Sequence, residues 1–459
     1  MATESPLRNT DFRKLFTAQV IALVGTGLTT IALTLLAYDL VGGNAGIVLG
    51  TALAFKMVAY VVFAPIVGGL AHRFPRKPLL IALDVVRAAI VLAMPFVTAV
   101  WQIYVLIFLL NLFSAGFKPV FQATIPDILP DEQQYTRALS YSRLAYDLEN
   151  LLSPTFAGLA LLVFSYDALF QINSLAFLVS AALILVTAVP VAERVDRLGG
   201  IWGEISFGVR SYMQTPRLRA LLILYLGVAG ASAMVIVNTV VYVREYLGGS
   251  EADTALAFAA AGGGSMLAAL SLPKILDRIP DRPVMLSGGM LMGFGLLAIY
   301  SGPGFAWVLP IWCLIGMGWS LVQTPAGRLV NRSSSAADRP CYFSAQFALS
   351  HGCWLLAYPI AGQLGARIGI QATALALGGA VLLFTILAAR AWPSTDVVVL
   401  EHSHEADSHR HQHMHDEHHR HEHDGTEGSE PHSHPHEHES VRHSHPFVID
   451  DHHAYWPAP

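Results

Sequence analysis

Eighteen of the twenty histidines fall between His402 and His453. They come as His409, His411, His413 and His415, then His418, His419, His421 and His423, then the alternation His432, His434, His436 and His438. Neutral imidazole suits nickel, copper and zinc, and the interleaved acids Glu405, Asp416, Glu417, Glu422 and Asp424 add oxygen ligands or raise the local cation concentration. The pattern points to a divalent transition metal without naming it, because such ligands hold copper most tightly of the first-row ions. Each ligand must lose its proton before it binds, so affinity should fall as pH drops through about 6.5. With almost no apolar content before Phe447, the run should lack regular structure until metal gathers it. A low-complexity stretch that binds metal on a column and does nothing in the cell is the bland alternative. A tag fits less well, since Ser, Asp, Glu, Arg and Pro are interleaved throughout.

The second chemical set lies inside apolar stretches, where ionisable side chains are costly and default to functional hypotheses. It comprises Lys56, Asp84, Arg87, Lys118, Arg143, Asp147, Glu149 and His351. Asp147 and His351 fall at matching depth in two equivalent helices, where a carboxylate and an imidazole could ligate a cation or exchange it for a proton. Glu149, two residues from Asp147, should face elsewhere. The structural alternatives are plain: Arg143 with Asp147 at i, i+4, and Asp84 with Arg87 at i, i+3, can simply neutralise each other. His351 can be a packing histidine, and Asn111, Asn238 and Gln323 can line a cavity or glue helices together.

The elements that must position these residues follow from composition. The chain has 459 residues, 54% hydrophobic and only 13% charged, which is too apolar for a water-soluble globule. Cys313, Cys341 and Cys353 form no CxxC pair and read as core residues. No cleaved leader is expected at the N-terminus. Runs long enough to span a bilayer lie near Phe12–Leu40, Ala45–Ala71, Pro78–Val97, Trp101–Ile125, Arg137–Phe164 and Ala168–Val189. Six more lie near Leu218–Tyr242, Asp253–Leu276, Pro283–Tyr300, Phe305–Val330, Tyr342–Leu364 and Gln371–Trp392. The expected organisation is a first six-helix bundle over 1–190, a linker over 191–217, a second bundle over 218–393 and the histidine-rich tail over 394–459. Loop arginines and lysines crowd one side, against only Arg244 and Arg367 on the other, so both termini should be cytoplasmic. In the linker, Trp202, Ile205, Val209 and Tyr212 at helical spacing predict a short interfacial helix.

The two halves are parallel duplicates at an offset of about 205 residues. Leu70-Ala71-His72-Arg73-Phe74-Pro75-Arg76-Lys77-Pro78 aligns with Ile275-Leu276-Asp277-Arg278-Ile279-Pro280-Asp281-Arg282-Pro283. Gly68-Gly69-Leu70-Ala71-His72-Arg73-Phe74-Pro75-Arg76-Lys77 resembles the G-x-x-x-D-R-x-G-R-K loop signature of the major facilitator superfamily. Gly69, His72, Arg73, Arg76 and Lys77, with Asp277 and Arg278 in the repeat, are therefore the loop candidates. His72 stands where the signature has aspartate and Pro75 where it has glycine. Ser153-Pro154-Thr155-Phe156-Ala157-Gly158 is similar in part to the antiporter signature of helix five. The resemblance implies an all-α membrane protein with twelve transmembrane helices in two parallel-duplicated six-helix bundles.

Thr324-Pro325-Ala326-Gly327-Arg328-Leu329, the run Ala345 to Trp354, and the histidine-rich end are similar to the nickel-resistance exporters of that superfamily. What this implies is proton-driven export of nickel, and of cobalt with it, across a bacterial cytoplasmic (inner) membrane, giving metal resistance. Divalent metal (nickel, cobalt) would then be both transported ion and tail ligand, with no other cofactor, protons and the lipid bilayer as partners, and a monomer as the working unit. Gly262-Gly263-Gly264-Ser265 lacks the lysine of a phosphate loop and no D-K-T-G motif occurs, so ATP-driven transport is not expected. No catalytic triad and no basic aromatic patch for nucleic acid can be assembled. Two alternatives stay open: export of a drug or an organic metal chelate with the tail as a metal buffer, and a membrane-anchored metal store.

Overall fold

The computed structural model describes residues 5–41, 45–190 and 200–393, and in the tail 399–403, 407–413, 432–438, 442–446, 448–449 and 456. The first half contains α1 (Thr10–Val41), α2 (Ala45–Leu70), α3 (Arg76–Leu92), α4 (Val100–Ile128), α5 (Glu132–Leu161) and α6 (Tyr166–Leu185). The linker helix is α7 (Gly200–Gln214). The second half contains α8 (Pro216–Val241), α9 (Glu251–Leu276), α10 (Asp281–Tyr300), α11 (Phe305–Arg332), α12 (Arg339–Ile368) and α13 (Ile370–Ala391).

Apolar composition makes these segments helical, because in lipid the backbone must satisfy its own hydrogen bonds. Their ends are set locally. Asp131 accepts from the Gln134 amide to open α5, Ser165 accepts from the Ala168 amide to open α6, and Ser250 with Asp253 forms a capping box on α9. Gly369 separates α12 from α13 at φ +81°, a left-handed conformation that costs glycine nothing. The third span runs as α-helix only to Leu92 and finishes as a 3-10 turn over Met94–Phe96, where Pro95 offers no amide.

Ten segments among the described residues are long and apolar enough to cross a bilayer. The other two long helices are α5 and α12, each 30 residues. These are the helices that carry Arg143, Asp147, Glu149 and His351, so polarity is concentrated where chemistry was expected. In the first bundle α1 and α3 pack on α6, and α2 on α4. In the second, α11 packs on α9 and α10, and α13 on α8 and α10. The halves meet mainly through α2 against α12 and α5 against α9.

The glycine run in α9 divides. A Cβ at Gly264 would sit 2.0 Å from the Cys313 carbonyl oxygen, so this residue brings α9 against α11, whereas one at Gly262 or Gly263 would meet nothing within 4 Å. Gly316 answers from α11, where a Cβ would lie 1.9 Å from the Ala261 carbonyl oxygen.

The linker helix is not simply interfacial. Trp202 is 79% exposed, but Tyr212 is buried and donates to Gln346 Oε1, and Phe207 meets Tyr342 edge to face. A Cβ at Gly208 would lie 2.5 Å from the Cys341 carbonyl oxygen. The apolar stripe of α7 is thus taken up by α2 and α12.

The tail departs from the expected lack of regular structure. β1 (Val399–Ser403) pairs antiparallel with β4 (Arg442–Pro446), and β2 (Asp407–His413) with β3 (His432–His438). The second ladder sets His409 opposite His436, His411 opposite His434 and His413 opposite His432. His415, His418, His419, His421 and His423 lie outside the described residues.

Gly316→Val would force α9 and α11 apart. The expected cost is about 1–3 kcal/mol, seen as a lower melting temperature of the detergent-purified protein, whereas Gly262→Ala should leave melting unchanged.

Candidate transport site and gate

The face that carries both chain ends is closed by charge. Arg76 at the start of α3 is buried and pairs with Asp127 at the end of α4, which also binds Arg339 at the start of α12. Arg76 further donates to the Ala336 carbonyl at 2.8 Å, across the halves. In the second half, Asp281 at the start of α10 accepts from Arg332 at 2.7 Å and lies 3.3 Å from Arg328. Arg332 and Arg328 both reach Glu132 of α5, at 2.5 and 3.2 Å.

The two clusters are copies with the signs exchanged. Arg76 and Asp281 are 205 positions apart, as are Asp127 and Arg332. Each half therefore owns one internal ion pair, Arg76–Asp127 or Arg332–Asp281, and receives one further charged group from the other half, Arg339 or Glu132. Tyr135 donates to the Gly327 carbonyl at 3.3 Å, Arg328 donates to Thr136 at 2.8 Å, and Cys341 Sγ donates to the Gly68 carbonyl at 3.3 Å, completing the seal.

At mid-depth, Arg143 and Asp147 on α5 form an ion pair at 2.8 Å. Ser265 of α9 donates to Asp147 at 2.6 Å and accepts from Arg143 at 2.9 Å. Arg143 also donates to Gln323 of α11 at 3.3 Å and lies 5.3 Å from the Trp319 ring centre. Among the described residues, Trp319 Nε1 and Gln323 Nε2 are buried donors without an acceptor. Asp147 is thus held by Arg143, as the i, i+4 alternative had it, and not by His351.

His351 sits in an aromatic cage. Its ring lies 4.9 Å from Tyr60, 4.1 Å from Phe347 and 5.4 Å from Trp354, with Nδ1 2.7 Å from the Phe347 carbonyl. Lys118 Nζ donates to the Tyr60 hydroxyl at 3.2 Å, and Lys56 lies 5.7 Å from the same ring. Trp354 donates to Ser232 of α8 at 2.7 Å. Glu149 interacts with Lys118 and Lys56, on the side of α5 that faces Gly27 of α1. It does diverge from Asp147, as the helical spacing requires. Asp147 and His351 therefore belong to separate clusters, and no group of three His, Cys, Asp or Glu side chains able to hold a metal ion occurs among the described residues of the body.

Asp84 and Arg87 pair inside the first bundle, away from the junction of the halves. Asp84 accepts from Ser180 at 2.8 Å, and the Arg87 guanidinium stacks on Phe117 and Phe177 at 3.9 and 4.5 Å. Their role is to hold α3 to α4 and α6. Asn111 and Asn238 donate to the Ile107 and Ala361 carbonyls, as packing glue. Of the loop candidates, Gly69 and Arg76 are buried, Lys77 is half-buried, and Arg73, Asp277 and Arg278 are exposed, while the His72 side chain lies outside the described residues. The residues that sequence reasoning missed are Asp127, Glu132, Asp281, Arg328, Arg332 and Arg339. Extending the 205-residue offset to oppositely charged residues would have found the core of both clusters.

The contacts joining the halves run from the terminal face to mid-depth. Towards the other face, α1 exposes Thr26, Thr30 and Thr34 one turn apart, and α5 and α12 expose Leu159 and Ile360. Two bundles joined by ion pairs at one face and polar at mid-depth have the architecture of a secondary transporter. The profile of the Major Facilitator Superfamily matches residues 15–350 and 221–420, and the chain belongs to that superfamily. Macrolide efflux protein A of Streptococcus pyogenes is 23% identical over 396 residues, 82% of this chain and 94% of that protein. Multidrug resistance protein MdtG of Enterobacter lignolyticus (strain SCF1) is 29% identical over 187 residues, 40% of this chain and 43% of that protein. The crystal structure of the human organic anion transporter MFSD10 (TETRAN) superposes with a TM-score of 0.72 at 14% identity, covering 84% of this chain and 100% of that one. The protein is a multi-pass membrane transporter, and relatives carry the names of efflux proteins.

Arg143→Met or Asp147→Asn alone should destabilise the protein by about 3–5 kcal/mol, because each strands a buried charge. The double variant should cost less than the sum, by about 0.5–3 kcal/mol. Melting temperatures of the three variants measure the coupling.

Proposed function

We propose that the protein exports a divalent transition metal, nickel or cobalt, from the cytoplasm in exchange for protons, giving a bacterium metal resistance. The basic face that carries both termini is then cytoplasmic, in the inner membrane, and the working unit is the monomer. The carrying observation is the tail ladder, whose register sets His opposite His at three successive pairs. Opposed Cβ atoms in such a ladder lie about 4.5–5.5 Å apart.

The body constrains the form of the cargo. Lys56, Lys118 and Arg143 outnumber Asp147 and Glu149 at mid-depth, and Asp147 is already neutralised by Arg143. A bare dication would meet net repulsion there, whereas a metal held by anionic ligands would not. Glu149, beside two lysines, is the group that exchanges a proton for cargo. A second reading, export of an organic solute with the tail as a buffer, is favoured by the aromatic cage around His351 and the unpartnered donors of Trp319 and Gln323. The printed names of the efflux relatives agree with it.

Elemental analysis of a metal-sensitive host separates the two. The intact chain should lower cell nickel and cobalt severalfold, a chain cut after Trp392 should lower them less, and Glu149→Gln should reduce export by roughly tenfold or more. Unchanged metal with the intact chain, alongside resistance to an organic toxin, would put the second reading first. The full-length protein should also release bound nickel as pH is taken from above to below about 6.5, as the imidazoles protonate. Retention at acid pH would remove histidine as the ligand.

A further inference from the structure

The chain does not end freely after its histidine run. Ile449 is 2% exposed, and its carbonyl accepts a 2.9 Å hydrogen bond from the Tyr342 hydroxyl in the first turn of α12. Seven residues further on, the Trp456 ring lies 5.4 Å from the Arg217 guanidinium in the first turn of α8. Arg217 is itself 1% exposed and fixed by hydrogen bonds to Ser333 Oγ at 2.7 Å and the Arg332 carbonyl at 3.0 Å. Two separate anchors therefore seat the end of the chain on the same face of the second bundle.

Both anchor points adjoin the gate. Tyr342 follows Arg339, which crosses to Asp127, and Cys341, which crosses to the Gly68 carbonyl. Arg217 holds the backbone of Arg332, which crosses to Glu132. A group that fixes α12 and the end of α11 in place stabilises the cross-half contacts those elements make, and so stabilises the sealed state over one in which the halves part at this face.

We propose that Tyr342 and Arg217 form a docking site for the chain's own C-terminal segment, and that its occupation by Ile449 and Trp456 latches the gate shut. The histidine run becomes a loop fastened to the body at both ends, after α13 and at Ile449. The latch goes beyond the assignment of cargo and holds for a metal or an organic solute.

The test uses full-length protein purified in detergent, with Cys313→Ser and Cys353→Ser leaving Cys341 as the only thiol. One variant stops after Phe447, keeping the histidine run bar the His452–His453 pair, and another carries Ile449→Asp with Trp456→Ala. Maleimide labelling of Cys341 should speed up at least roughly threefold in both, as the open population rises. Hydrogen exchange at the Cys341 and Tyr342 amides, which bond the Asp338 carbonyl, should quicken in parallel. Acceleration of either readout in both variants supports the latch; unchanged labelling together with unchanged exchange overturns it. Neither readout involves cargo, so the latch can fail while the metal assignment stands, and the reverse.

Discussion

Two ion-pair clusters at the terminal face set the state of the whole molecule. In each, a carboxylate and a guanidinium belong to the same half, and one further charge arrives from the other half. Parting the halves therefore leaves Arg76–Asp127 and Arg332–Asp281 intact while it breaks the cross-half contacts of Arg339, Glu132, Arg76 and Arg328. The large penalty for stranding a buried charge is avoided on every cycle. The barrier to opening then lies in the contacts that cross between the halves.

The mid-depth chemistry is arranged around that seal. Arg143, Asp147 and Ser265 tie α5 to α9, so the carboxylate read as a transport candidate is part of the joint between the halves. The aromatic cage at His351 and the lysines beside Glu149 occupy the other joint, between α2, α4 and α12. Ligand-rich chemistry is confined to the tail and cation-rich chemistry to the body.

The bundles were legible because lipid imposes a simple rule on apolar length, and the duplication because backbone-setting residues such as Pro75, Pro78, Pro280 and Pro283 repeat at one spacing. The pairing of Arg143 with Asp147 was legible as a helical i, i+4 contact. What escaped was everything that depends on two distant segments meeting. Asp127 and Arg339 lie 212 positions apart, and neither has a neighbour along its own helix that marks it. Asp147 and His351 share a depth but not a cluster, since depth along a helix says nothing about the direction in which it faces. The ladder in the tail escaped for a different reason. A sequence without apolar residues gives no packing signal, although its strict alternation carries the period of a strand.

That alternation leaves the ladder unusually tolerant. A shift by one residue would set every histidine of the ladder opposite a residue of another type. A shift by two restores His against His over most of the run, because His409, His411 and His413 have the same sequence spacing as His432, His434, His436 and His438. Several alignments are thus chemically equivalent. The alternation in the sequence thus fixes which residue types can meet across the ladder without fixing a single register.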